Sequence, residues 1–390
     1  MLRLLTVGLS VYATACYKPS FHDCAIACDD SVGCPSGLSC ESATHKCTSG
    51  ASCMDVTDGN GSDSGSSSGC WSMSTSNFDP CVTGFPPVAA AIDTSVSDPI
   101  IATDNPQCAY TMTTGGTACL LHVASITIAS GHPFGANGSA PLILVSDGPV
   151  EIDALVSIAP GGMGHAGCDA SQGATGSGLG GGGAGGGFGA SGGSGGANDQ
   201  GTIRPGGSAT GSDSLEPLVT GCEGGNGGLQ GGASPTPGGL GGGAIEISSK
   251  VSISIAGSGF VFAPGAGGKA GSGGNGGGGG GAGGAILLEA PDLMLGGAVC
   301  APGGGGAAGV GANGNGGTST TCAGGAGGTL SGTTLGGVGG ASPTALPGSG
   351  SAATAAAGGG GGGGGGAYGR IHFHTLHAPT GTAIVKPPAT

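Results

Sequence analysis

Tracts with almost no side chains alternate along this chain with short apolar runs, and few folds can use both. Glycine supplies 99 of the 390 residues. It loses more backbone freedom on ordering than any other residue, so a glycine tract orders only when something packs closely against its bare backbone. The apolar runs share one plan. Pro141-Leu142-Ile143-Leu144 leads to Val150-Glu151-Ile152 and ends at Ala159-Pro160-Gly161. Ala244-Ile245-Glu246-Ile247 leads to Ile253-Ser254-Ile255 and ends at Ala263-Pro264-Gly265. Ala285-Ile286-Leu287-Leu288 leads to Leu293-Met294-Leu295 and ends at Ala301-Pro302-Gly303. A closing unit starts at Arg370-Ile371-His372-Phe373. Proline after a strand interrupts its hydrogen-bond ladder, and glycine permits the bend that follows.

One such unit cannot bury its inward face, so stacking must supply the core. The chain therefore reads as all-β: a parallel β-solenoid-like stack of short strands over 123–390, with long glycine-rich insertions of polyglycine or polyproline II type. Inward positions are Leu142, Leu144, Ile152, Ile245, Ile247, Ile253, Ile255, Ile286, Leu288, Leu293, Leu295, Ile371 and Phe373. An antiparallel sandwich with glycine-rich hairpins is the rival. Insertions of such unequal length hang more easily from a stack. They span 162–242, 266–283 and 304–367. In one of them glycine recurs at every third position: Gly268, Gly271, Gly274, Gly277, Gly280 and Gly283. Three residues is the turn length of the extended polyproline-type helix. Such helices could pack side by side through their backbones; the alternative is a flexible linker. Gly358 to Gly366 has no side chain to fix a register, so less order is expected there.

The N-terminus reads as an export signal over 1–15. Arg3 precedes the short apolar stretch Leu4 to Tyr12, and Ala13-Thr14-Ala15 precedes Cys16. This stretch is too short to span a bilayer. Small residues before a cysteine suit lipidation at Cys16, although Ala13 replaces the usual leucine; plain secretion is the alternative. The chain has 15 cysteines, and lipidation of one leaves an even number to pair. Cys24, Cys28, Cys34, Cys40, Cys47 and Cys53 crowd the segment 16–53, which reads as a small disulfide-rich module. Residues 54–69 form a Gly/Ser/Asp linker, and 70–122 an irregular, Cys-containing lead-in.

The Ala13-Thr14-Ala15-Cys16 start, the cluster with Cys34-Pro35 and Cys40, and the glycine-rich body with Gly-Gly-Ala-Ile runs resemble the glycine-rich surface lipoproteins of myxobacteria. The Gly-Gly-x tracts are also similar to the mycobacterial PGRS family, without the helical domain that precedes those tracts there. The resemblance implies an exported envelope protein on the outer membrane or cell surface. It implies no activity.

Charge and motif content point the same way. The net charge is −14, with only 8 Lys and Arg, so there is no basic footprint for nucleic acid. Gly189-Ala190-Ser191-Gly192-Gly193 matches a nucleophile elbow in letters only, since neither a strand nor a helix flanks it. Gly267-Gly268-Lys269 lacks the spacing and the hydroxyl residue of a phosphate loop. Glu151 and Glu246 fall at different points of their units and Glu289 stands alone, so no paired carboxylates for glycoside hydrolysis are expected. His372, His374 and His377 are the best metal candidates, the first two on one strand face; the bland reading is an exposed polar face. The expectation is a non-enzymatic, cofactor-free envelope protein, structural or adhesive. The alternative is a binding module for a surface polysaccharide or an envelope protein.

Overall fold

The computed structural model describes residues 34, 39–41, 46–48 and 71–390, apart from 72, 83, 162–164, 231–233, 319–320, 331–332 and 354–358. The chain divides into two compact units, Met1–Ser66 and Ser67–Thr390. In the first, β1 (Ser39–Glu41) and β2 (Lys46–Thr48) pair antiparallel with Cys40 opposite Cys47. Cys34 is disulfide-bonded. The export signal, Cys16, Cys24, Cys28, Cys53 and the linker lie outside the described residues.

The second unit is built from successive passes of the chain, each laying strands on three faces. Regular pairing begins before Val123, inside the stretch expected to be irregular. β3 (Ile92–Asp93) and β4 (Ile100–Ala102) open two of the faces. On the third, β5 (Ala109–Thr111) pairs antiparallel with β6 (Thr117–Val123), and Cys108–Cys119 ties the two together. From there every pass repeats the cycle. β7 (Ile126–Ile128) and β8 (Phe134–Asn137) complete the pass opened by β6. The next is β9 (Leu142–Ser146), β10 (Val150–Ile152) and β11 (Leu155–Ile158). Then come β12 (Ala244–Ser249), β13 (Ser252–Ile255) and β14 (Phe260–Phe262), followed by β15 (Ala285–Ala290), β16 (Asp292–Leu295) and β17 (Ala298–Cys300). A small antiparallel pair, β18 (Thr329–Leu330) and β19 (Thr333–Thr334), interrupts the last insertion. The closing pass is β20 (Arg370–Thr375), β21 (Thr380–Gly381) and β22 (Ile384–Lys386). Three six-stranded sheets result, ordered β20-β15-β12-β9-β6-β5, β21-β16-β13-β10-β7-β3 and β22-β17-β14-β11-β8-β4. Apart from β5 with β6, every pairing within them is parallel.

Register follows chemistry. Leu142, Ile245, Ile286 and Ile371 lie directly opposite one another along the first sheet. Ile128, Ile152, Ile255 and Leu295 do so along the second, and Val156, Val261, Val299 and Val385 along the third. A slip of one residue would turn each of these aliphatic rows outward, so burial fixes the pairing. Every inward position read from the sequence joins one buried core, with Phe373 packed at its margin. The outer face of the first sheet is buried as well. Trp71, Phe78, Phe188, Leu215 and Leu218 cover Ile143, Val145 and Leu287. That second layer explains why Leu142 to Val145 is continuously apolar instead of alternating.

The glycine tracts hang from the passes and pack on one another through their backbones. Along 276–281 the N–H groups donate in rotation to three neighbouring segments: Gly276 to Gly228, Gly277 to Gly361, Gly278 to Lys269, then Gly279 to Gly225, Gly280 to Gly364 and Gly281 to Ala266, all at 2.8 or 2.9 Å. The carbonyls of the same tract accept from three others, through Gly183, Gly239 and Gly304. Six segments therefore surround it. The run 361–366 is surrounded in the same way. It donates to Gly180, Ser351 and Ala307 and accepts from Gly277, Gly196 and Gly337. Low order was expected in this run; its described residues sit instead in the middle of the network. With six neighbours no direction remains for a side chain, so the most central segments carry the purest glycine. A Cβ on Gly280 or Gly363 would fall far inside contact distance of the Gly304 or Gly278 carbonyl oxygen. Where tracts turn, side-chain amides take over the backbone's part: Asn275 Oδ1 accepts from Gln230 N–H at 2.8 Å, and Asn313 Oδ1 from Ala270 N–H at 2.7 Å.

Candidate functional site

The three histidines of the closing pass do not converge on a common point. His372 Nδ1 lies 3.2 Å from Thr390 Oγ1, His374 Nδ1 3.1 Å from Glu289 Oε1, and His377 Nδ1 2.9 Å from Asp292 Oδ1. Each ring has its own neighbour, and among the described residues these three do not form a group close enough to share an ion.

The carboxylates bring a second correction. Glu151 is exposed on β10, but Glu246 and Glu289 come together, fully buried. Their strands are neighbours, with Glu246 opposite Leu287 and Ser248 opposite Glu289. Because Ile245, Ile247, Ile286 and Leu288 point into the core, alternation turns both glutamates to the outer face, two residues apart on the diagonal. The segment from Trp71 to Phe78 lies over them, anchored by an edge-to-face contact of these two rings at 5.6 Å.

All four carboxyl oxygens have hydrogen-bond partners within the protein. Ser76 N–H donates to Glu289 Oε1 at 3.0 Å, and His374 approaches the same oxygen. Ser248 Oγ bridges Glu289 Oε2 at 2.8 Å and Glu246 Oε1 at 3.2 Å. Asn77 Nδ2 donates to Glu246 Oε2 at 2.9 Å and to the Leu215 carbonyl at 3.1 Å, while its Oδ1 accepts from Leu218 N–H at 3.0 Å. One asparagine thus joins the overlying segment, the sheet and a stretch inside the first insertion.

Burial, then the charge of Glu289, pushes the Glu246 carboxyl well above the ordinary carboxylate range, against the opposing bonds from Asn77 and Ser248. Burial acts on Glu289 too, but hydrogen bonds from His374, Glu246, Ser76 and Ser248 outweigh it and hold that group below its ordinary value. The Glu289 bond in turn raises His374. Within the pair the surroundings thus favour the neutral form of Glu246 and the anionic form of Glu289 beside His374. With its oxygens spent on internal donors, the arrangement serves as a clasp for the segment above it.

The parity of Glu246 and Glu289 was readable from the alignment of the repeating units. What pattern reading lacked was the lateral register together with the segment from Trp71 that seals the pair from water. A further grouping comes from the first insertion. His165, Cys168 and Cys222 place metal-type ligand atoms within 4.8 Å of one another, and Cys168–Cys222 is a disulfide. Among the described residues no other group of three such side chains is this close.

Comparison with protein-family models, curated proteins and solved structures returns no match.

Proposed function

We infer that this is an exported cell-envelope protein, anchored through lipid on Cys16, with a structural or adhesive role and no catalytic activity or cofactor. In this reading the second unit is a β-solenoid that carries a polyglycine bundle of polyproline II type, and its site is the outer membrane or cell surface. The observation that carries the reading is the rotating backbone network of the tracts 276–281 and 361–366. It fixes a large, nearly side-chain-free body to a stack of parallel strands, which suits a rigid spacer better than a reaction vessel. Cross-links at Cys108–Cys119, Cys168–Cys222 and Cys300–Cys322 fit an oxidising compartment. The acidic balance supports a partner other than nucleic acid, such as a surface polysaccharide or another envelope protein.

Labelled palmitate tests the anchor. Wild type is expected to incorporate it and to sediment with membranes, while Cys16→Ala stays unlabelled and is released. Label in both, or in neither, overturns the anchor. Cells whose only copy carries Gly363→Val should show the same loss of attachment or envelope integrity as cells lacking the protein. An envelope phenotype confined to the null strain would detach the function from the bundle.

A further inference from the structure

His165 and Cys168 are three residues apart in a tight turn, His165-Ala166-Gly167-Cys168, with Gly167 at φ +100°. Cys168 N–H donates to the His165 carbonyl at 3.1 Å, and His165 N–H points back at Cys168 Sγ at 3.3 Å. A backbone N–H aimed at sulfur favours the thiolate over the thiol, as nearby positive charge does. The imidazole is already in place. Its Nδ1 lies 3.8 Å from Cys168 Sγ and 3.1 Å from the Thr220 carbonyl oxygen. With Nδ1 spent on Thr220, Nε2 is left buried with no hydrogen-bond partner among the described residues. The ring therefore has unused ligand capacity. Phe188 packs edge-on at 5.8 Å and limits how far it can swing. Cys222 brings the second sulfur, with Thr210 Oγ1 3.6 Å away. A surface pocket of about 370 Å³ reaches the turn, lined by His165, Ala166, Leu218, Thr220 and Met112.

We propose that reduction of Cys168–Cys222 converts this cross-link into a metal site, with two thiolates and the His165 imidazole taking a borderline or soft divalent ion such as zinc. The step balances. An external dithiol gives two electrons and two protons to the S–S bond and becomes a disulfide itself; the metal then displaces the two thiol protons to solvent. Two sulfurs and one nitrogen are a donor set that zinc accepts in tetrahedral geometry, with a water or the Thr210 hydroxyl as the fourth ligand. In the oxidised protein one ligand atom from each of His165, Cys168 and Cys222 already lies within 4.8 Å of the others. In the oxidised chain the site is closed, because both sulfurs are bonded to each other. The cross-link thus reports redox state as metal affinity, independently of the lipid anchor or the role of the bundle.

Cobalt(II) is the probe, since thiolate-bound tetrahedral cobalt has its own absorption bands. The full chain is reduced with a dithiol, freed of reductant without oxygen and titrated, beside oxidised protein and the variants Cys168→Ser and His165→Gln. Reduced wild type should bind one more equivalent of cobalt than reduced Cys168→Ser. His165→Gln, which keeps both cysteines, should bind that equivalent at least about tenfold more weakly, as expected when one of few ligands is lost. Oxidised protein should show no thiolate–cobalt bands. Equal uptake by reduced wild type and Cys168→Ser would overturn the proposal, as would His165→Gln binding with unchanged affinity.

Discussion

Glu246 and Glu289 are both fully buried yet shift in opposite directions, and the difference lies in which neighbours donate. Their pH dependence has a definite sign. Glu246 is raised, so its contribution to stability is complete below the ordinary carboxylate value and is lost as pH climbs through its folded-state value. His374 is also raised, and its contribution is likewise lost on the alkaline side of its folded-state value. Glu289 is lowered, so its contribution is present above the ordinary carboxylate value and is lost as pH falls through the lowered one. Stability should therefore decline on both sides of a plateau. Glu246→Gln keeps a neutral donor toward Glu289 and should flatten the alkaline decline with little loss at neutral pH. Glu289→Gln strips an anionic acceptor from Ser76 and His374 and should cost about 1–3 kcal/mol at neutral pH. Urea unfolding midpoints across pH measure both. If Glu246→Gln proves the more damaging of the two, the proton has been assigned to the wrong carboxyl.

At the scale of elements, a strand and a glycine tract obey the same rule by different means. Strands β9, β12, β15 and β20 hold register because aliphatic side chains stack in one row. The tract 276–284 has almost no side chains to stack and is held by N–H groups that find a new neighbour at each residue. Its glycines serve close approach, whereas Gly273 and Gly274 at the turn before it take φ +57° and +90°. Gly280→Ala should therefore cost about 1–3 kcal/mol or more through overpacking. Gly257→Ala is the control: its Cβ would meet only the Gly296 oxygen, at 3.9 Å, and the change should stay within about 0.5 kcal/mol. Denaturant unfolding compares them, and equal losses would mean that the tract does not need its bare backbone. In a strand row, Ile245→Ala should cost about 2–5 kcal/mol by opening a cavity in the buried core. The inward rows were legible from alternation alone. The period of three in 268–283 showed that a three-fold rotation was possible, but not which segments would meet the tract, because glycine carries no side chain that names its neighbour.

The whole second unit differs from a simple stack in how its parts communicate. In most repeat proteins each unit touches only the next, and stability is a sum over neighbours. Here Gly361 and Gly364, from the insertion before β20, donate directly to Gly180 and Gly183, from the insertion before β12, although β12 and β20 do not pair with each other and β15 lies between them. Passes that share no strand pairing are thereby coupled through the bundle. Hydrogen exchange should show 276–284 among the slowest amides, and Gly280→Val should lower protection in β12 and β20 together. Loss confined to β15 would mean that the insertions are passengers on independent passes. The site at Glu246 and Glu289 belongs to this scale too, since Asn77, Leu215 and Ser248 reach it from three separate stretches of chain.

The sequence by itself determined the strands of the repeating units beyond Val123, their inward faces and the places where the chain leaves the stack, because alternation and Ala-Pro-Gly stops are local signals written in side chains. Only the tertiary structure decided that Glu246 meets Glu289 under Asn77, that His372, His374 and His377 part company, and that Gly361 to Gly366 lies at the centre of a network. Those outcomes depend on lateral neighbours. A backbone amide or a buried carboxyl carries no mark in the sequence of the distant group that will satisfy it.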